Sequence, residues 1–130
     1  MWNPTKVAIV GDAHVGKSKF CDMARDIKFV VKPYLTTIMT EVKIIGTFQN
    51  TPSVLHFYDV SGDERYKKHR NYHFPKMDSF IVIHKGNPQP WIDEIRFTRP
   101  DAEIMTLNIK EIKTQRDAHI WMRERFGRNI

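Results

Sequence analysis

Cysteine is almost missing from this sequence: Cys21 is the only one. No disulfide can close within the chain, and such sparing use fits a reducing compartment. Long apolar runs are missing too. The longest, such as Phe80 to Ile83, fall far short of the roughly 20 residues that cross a bilayer. Met1 to Lys6, with Asn3 and Pro4, offers no apolar leader ahead of the first expected strand, so export is not expected. The terminal Gly127-Arg128-Asn129-Ile130 holds no cysteine for prenylation, and the cytoplasm is the expected location. There is no internal repeat, low-complexity tract or linker, and 130 residues are too few for two ordinary domains. One domain over residues 1–130 is expected. Apolar residues at 41% and charged residues at 28% exclude a disordered or fibrous chain.

What the chain has in excess is positive charge: 21 Lys plus Arg against 15 Asp plus Glu, a net +6. That surplus could serve nucleic acid, an anionic membrane or a polyanionic ligand, and charge alone does not choose. Its densest cluster is Arg65, Lys67, Lys68, Arg70 and Lys76, with His69 and His73 between them. Two readings stand here, a solvated basic helix face and a surface for a partner or polyanion.

Strands and helices are expected to alternate. Val7 to Val10 is a short apolar run of the kind found in a central strand buried on both faces. After Lys17, the residues Phe20, Met23, Ala24 and Ile27 keep the spacing of a helix with one buried stripe. Ile38 to Phe48 and Ser53 to Val60 read as strands joined by a turn at Gln49-Asn50-Thr51-Pro52. Further strands are expected at Ser79 to His84 and Ala102 to Ile109, and helices at Trp91 to Phe97 and Thr114 to Phe126. This pattern predicts a three-layer α/β fold, with a mostly parallel sheet of about five strands and one antiparallel edge strand.

Gly11-Asp12-Ala13-His14-Val15-Gly16-Lys17-Ser18 matches G-x-x-x-x-G-K-[ST] at every fixed position and lies between the expected strand and helix, the context that motif requires. Glycines let the backbone wrap a polyphosphate with its N–H groups turned inward, and the helix N-terminus adds a favourable dipole. Gly11, Ala13, His14, Val15, Gly16, Lys17, Ser18 and Lys19 form the candidate phosphate-binding set. Lys17 is expected on the β- and γ-phosphates, and the Ser18 hydroxyl is a hard ligand suited to Mg²⁺.

Tyr58-Asp59-Val60-Ser61-Gly62-Asp63-Glu64-Arg65-Tyr66 adds a D-x-x-G at the carboxyl end of a strand, on the same sheet edge as the phosphate loop. Asp59 is expected to hold Mg²⁺ through water, and the Gly62 N–H to reach the γ-phosphate. With both motifs in place the sequence resembles the Ras superfamily of small GTPases, most closely its Rab-like members. That resemblance covers about Lys6 to at least His84 and implies a P-loop NTPase fold of the Ras-like G-domain type. It also implies that Tyr34-Leu35-Thr36-Thr37-Ile38 is switch I, with Thr37 on Mg²⁺ at the usual interval before Asp59. Phe29 matches the aromatic that packs on guanine, with a core phenylalanine as the equal alternative.

The sequence departs from the family pattern in three places. Asp63 stands where the family has the glutamine that orients the attacking water; it is shorter, ionised and without an amide donor. Lys17 and Asp63 are therefore the catalytic candidates, and GTP hydrolysis is expected to be slow at best. Asn108-Ile109-Lys110-Glu111 replaces the guanine-reading N-K-x-D, leaving Asn108 and Glu111 as candidate base contacts or as an ordinary strand end. Beyond Phe126 no sixth strand and final helix of a complete Ras-like domain are expected, so an exposed edge would favour dimerisation or a partner. Trp91, Trp121, Met122 and Phe126 are candidates to cover that gap, or else ordinary core.

The resemblance implies a Mg-GTP/GDP switch whose Thr37 and Gly62 regions respond to nucleotide and whose basic helix after Asp63 presents Tyr66 and Tyr72 to an effector or regulator. Trafficking or signalling is implied by resemblance alone, and nucleic acid is not an expected partner. The competing reading is a nucleotide-degenerate interaction module or decoy that keeps the fold. A small P-loop kinase fits less well, because no Arg-rich lid accompanies the loop.

Overall fold

Alternate residues of each central strand point to opposite sides of a sheet, and here that geometry builds two separate apolar cores. In a computed structural model describing residues 5–12, 15–24, 34–35, 39–48 and 51–126, six strands lie side by side. They are β1 (Thr5–Val10), β2 (Tyr34–Leu35), β3 (Met39–Phe48), β4 (Thr51–Val60), β5 (Ser79–His84) and β6 (Ile104–Asn108). Their spatial order is β2-β3-β4-β1-β5-β6. Strand β1 runs parallel to both β4 and β5, and β5 parallel to β6. The hairpin partner β3 is antiparallel to β4 and to β2.

Val7 and Ile9 of β1, with Phe57, Ile81, Ile83 and Leu107, face helices α1 (Lys17–Ala24) and α4 (Gln115–Phe126). Ala8 and Val10, with Val60, Phe80 and Val82, face the other way, toward the segment that holds α2 (Lys67–His73) and toward α3 (Gln89–Thr98). The three-layer α/β fold expected from the sequence is therefore present. The expected antiparallel edge strand needs correction, because β3 is not the edge: Tyr34 and Leu35 pair outside it with Glu41 and Thr40. A strand of two residues has no periodicity to read, which is why the pattern predicts five strands where six are found. Strand β4 also begins earlier than the expected turn at Gln49 to Pro52 allows, and Gln49 and Asn50 lie outside the described residues. Thr51 and Pro52 belong to β4, opposite Phe48 and Thr47.

Local chemistry sets the helix starts. Before α4, Asp117 Oδ2 accepts from the Lys113 and Thr114 N–H groups, and the Asp117 N–H donates to Thr114 Oγ1. This reciprocal cap satisfies donors that a helix N-terminus leaves open, and those N–H bonds hold the Asp117 carboxyl below the usual carboxylate range. Helix α4 then lies beside α1, with the Phe20 and Trp121 rings edge to face at 5.6 Å. Trp121 and Met122 thus cover one face of the sheet, in keeping with the core reading of these residues. Trp91 does not join them; it is buried on the opposite face, against α2 and its flanking turns. The side chain of Phe126 and the helix-stripe residue Ile27 lie outside the described residues.

Candidate nucleotide site

The loop that follows β1 is shaped by its two glycines. A Cβ on Gly11 would stand 2.5 Å from the Ile83 carbonyl oxygen of β5, so only glycine lets the loop leave the sheet here. Gly16 has φ +110°, a backbone conformation that other residues adopt at a cost. Its carbonyl accepts the Phe20 N–H at 2.9 Å and starts α1. Lys17, the first residue of α1, is buried, and its Nζ donates to the Gly11 and Asp12 carbonyls at 3.1 and 3.2 Å. The ammonium is thereby held inside the turn, at the N-terminus of a helix. Val15 is buried under the loop, Ser18 is the second residue of α1, and Lys19 is exposed.

The second phosphate motif arrives on the neighbouring strand. Asp59 pairs with Ile9 across β4 and β1, so the turn after Val60 emerges beside the phosphate loop. Asp12 and Gly62 line one cleft of about 500 Å³, together with Lys67, Arg70, Trp91 and Phe97. Lys17, Ser18, Asp59 and Gly62 are therefore brought to one end of the sheet. Ala13, His14, Phe29 and Thr37 lie outside the described residues. The residues present fit a magnesium-bound nucleotide: a loop that side chains on Gly11 and Gly16 would disrupt, an enclosed ammonium, and a hard oxygen donor in Asp59 on the adjacent strand. When bound, the metal would neutralise phosphate charge and orient the terminal phosphoryl group.

Asp63 stands immediately after Gly62, but its carboxylate is turned to Arg65. Oδ1 accepts the Arg65 N–H at 2.9 Å, and Oδ2 accepts Nε and Nη2 at 3.1 and 2.9 Å. It caps the 3-10 turn Glu64–Tyr66. The Arg65 guanidinium and N–H hold the Asp63 carboxyl below the usual range, and Asp63 in turn raises the arginine. The position expected to handle water thus carries an anion whose two oxygens are already engaged.

The base-reading candidates separate. Ile109 packs against Gly16, so the loop after β6 does reach the phosphate loop, and Asn108 Oδ1 accepts the Lys110 N–H at 3.1 Å. Glu111 is exposed and lines a different cleft, with Asp117, Trp121 and Glu124.

The expected basic face also needs correction. Arg70 is 1% exposed and makes a bidentate ion pair with Glu94 of α3, both bonds 2.8 Å. Its Nη1 donates to the Ser61 and Asp63 carbonyls at 3.0 and 2.7 Å, and its guanidinium lies over the Trp91 ring. Trp91 Nε1 donates to Asp12 Oδ1 at 2.9 Å. Arg65, Lys67, Lys68 and Lys76 are the exposed cations of the cluster. The Arg70-Glu94-Trp91-Asp12 set escapes a reading of the sequence. Its one signal is Trp91 and Glu94 three residues apart on a helix, a spacing shared by countless helices.

A glycine-shaped loop around an enclosed lysine, with D-x-x-G on the adjacent parallel strand, defines a P-loop G domain of the Ras type. The family described as the Ras of Complex, Roc, domain of DAPkinase matches residues 6–112. The chain belongs to that family. The match spans both phosphate motifs and the Asn108 to Glu111 loop, and helix α4 follows it.

Proposed function

We propose that this Roc-family domain is a Mg-GTP/GDP switch that hydrolyses GTP slowly and acts through contacts made by its switch segments. The observation that carries this reading is Lys17, enclosed by the Gly11 and Asp12 carbonyls at the end of β1, with the D-x-x-G turn issuing from the adjacent β4. Ser18, Thr37 and Asp59 are the proposed metal-binding residues, and Gly62 the contact to the third phosphate. Slow hydrolysis follows from Asp63: an acceptor-only side chain bound to Arg65 cannot orient water as an amide does. The Rab-like character rests on the two motif sequences and brings with it a cytoplasmic role in trafficking or signalling. Among the described residues, no helix is long and apolar enough to cross a membrane. Exposed Tyr72, stacked under Lys76, is the proposed effector contact on α2, and β6, paired only with β5 among the described residues, is the proposed edge for a second copy.

Glu111 favours a second reading, a nucleotide-degenerate module, because it lies in a cleft with Asp117 and Glu124 rather than against the phosphate loop. Calorimetric titration of nucleotide-free protein with GTP, GDP and ATP plus magnesium separates the two. The switch reading expects tight, magnesium-dependent GTP and GDP binding that Lys17→Ala abolishes, and single-turnover hydrolysis that Asp63→Gln accelerates. Partner binding and thermal stability in Mg-GTP that ignore Lys17→Ala would establish the degenerate module instead.

A further inference from the structure

A guanidinium with 1% exposure needs a reason to be in a protein interior. Burying an ion pair is rarely the most stabilising choice, since a well-packed apolar set usually serves as well or better. Arg70 divides its hydrogen bonds unusually. Two go to Glu94 on α3, and two go to the carbonyls on either side of Gly62, at Ser61 and Asp63. The Ser61 carbonyl and the Gly62 N–H belong to one peptide unit. The described chain contains no cis peptide bond, and in a planar trans unit the C=O and N–H point in opposite directions. Drawing the Ser61 oxygen toward Arg70 therefore turns the Gly62 N–H away from the helix layer. The same unit reaches the phosphate loop: Arg70 stacks on Trp91, and Trp91 Nε1 holds the Asp12 carboxylate. Asp12 and Gly62 face one cleft.

We infer that Arg70, anchored by Glu94 and by the Trp91–Asp12 bond, is a positioning residue that sets the direction of the Gly62 N–H relative to the phosphate loop, and so sets how strongly the domain prefers a nucleoside triphosphate to a diphosphate. The inference rests on the GTP-switch reading above. By reciprocity, any coupling that α3 exerts on triphosphate affinity is returned to α3 when the triphosphate binds. Trp91, with its indole N–H on Asp12 and its face under Arg70, is then the side chain whose surroundings report nucleotide state.

The test uses the full chain, titrated with GDP and with a non-hydrolysable GTP analogue, both with magnesium. Arg70→Lys keeps the charge but cannot span Glu94 and two carbonyls at once. Glu94→Gln keeps the shape and removes the anchoring charge, and it decides the matter where Arg70→Lys fails to fold. Both are expected to weaken analogue binding by roughly tenfold while GDP binding changes little. Tryptophan emission of the wild-type protein should change when the analogue replaces GDP, and Trp91→Phe should abolish that change. Variants that stay folded and keep the wild-type preference for analogue over GDP overturn the inference, as does an equal loss of both nucleotides. Wild-type protein that binds neither nucleotide sinks the GTP-switch reading itself, and the positioning role with it.

Discussion

The two faces of the sheet are built from different materials. Toward α1 and α4 the buried layer is apolar, and the Phe20 and Trp121 rings meet in it edge to face. Toward α2 and α3 the layer includes Phe74 and Phe80, also edge to face, but a buried arginine stands beside them. Beyond Lys17 at the start of α1, the residues of the first face fill space. The second has carbonyls of the D-x-x-G turn to hold, and no apolar side chain can hold a carbonyl. A buried cation is tolerated where it satisfies backbone acceptors and a carboxylate together. The difference teaches that buried cations stand where the fold meets its two motif turns, Lys17 at the loop after β1 and Arg70 at the D-x-x-G turn, while the layer between α1, α4 and the sheet is filled by apolar side chains.

That contrast can be broken by paired truncations. Trp121→Ala should cost about 3–5 kcal/mol of stability by urea denaturation, as removal of a buried ring does, and should leave the preference between GTP analogue and GDP untouched. Glu94→Ala should cost a similar amount, about 3–5 kcal/mol, because it leaves a buried guanidinium unpaired, and should lower that preference as well. If both variants change selectivity alike, the two faces are not different in kind.

A smaller effect is expected where the phosphate loop leaves the sheet. Gly11→Ala places a Cβ 2.5 Å from the Ile83 carbonyl, and backbone must move to admit it. The expected loss is about 1–3 kcal/mol, measured by thermal or urea unfolding, with nucleotide affinity falling too. An unchanged unfolding midpoint would show that the close approach of loop and β5 does not constrain this position.

The smallest effect belongs to α2, at the solvent edge of the second face. Partial burial, followed by the nearby charges of His69 and Lys76, lowers the His73 pKa below the ordinary imidazole value. The His69 and His73 rings are 4.3 Å apart. The unfolded chain therefore binds the proton more readily, so stability rises with pH across this range. The contribution is complete above about pH 6.5 and is lost as pH falls toward the lowered native value. His73→Gln should flatten the decline in urea midpoint between about pH 7 and about pH 5. A slope identical to wild type would assign that decline to other groups.

Much of the fold and of the candidate site is legible in the amino-acid sequence. The loop after β1 is eight contiguous residues, and their backbone requirements are local, so spacing alone locates the tight approach at Gly11, the positive φ at Gly16 and the lysine that starts the helix. Strands β1 and β5 read as apolar runs because both their faces are covered, and the observed β5 coincides with the expected Ser79 to His84. Two-residue β2 carries no pattern at all. Arg70 reads as one more exposed cation because neighbouring Lys67 and Lys68 are exposed, and nothing in a helix of seven residues says which cation turns inward. Trp91 and Trp121 look interchangeable as large apolar residues, yet they lie in opposite cores.

By itself, then, the amino-acid order determined the class of fold, the glycine-shaped loop after β1 and the anion at position 63, since each depends on a few neighbouring residues or a short period. Tertiary structure alone decided that Arg70 would be buried, that Glu94 and Trp91 would meet it, and that Asp63 would be bound to Arg65 while Glu111 lay in another cleft. Those outcomes depend on which surfaces the parallel crossovers bring together. The energy of a charge is set by its surroundings rather than by its place in the chain.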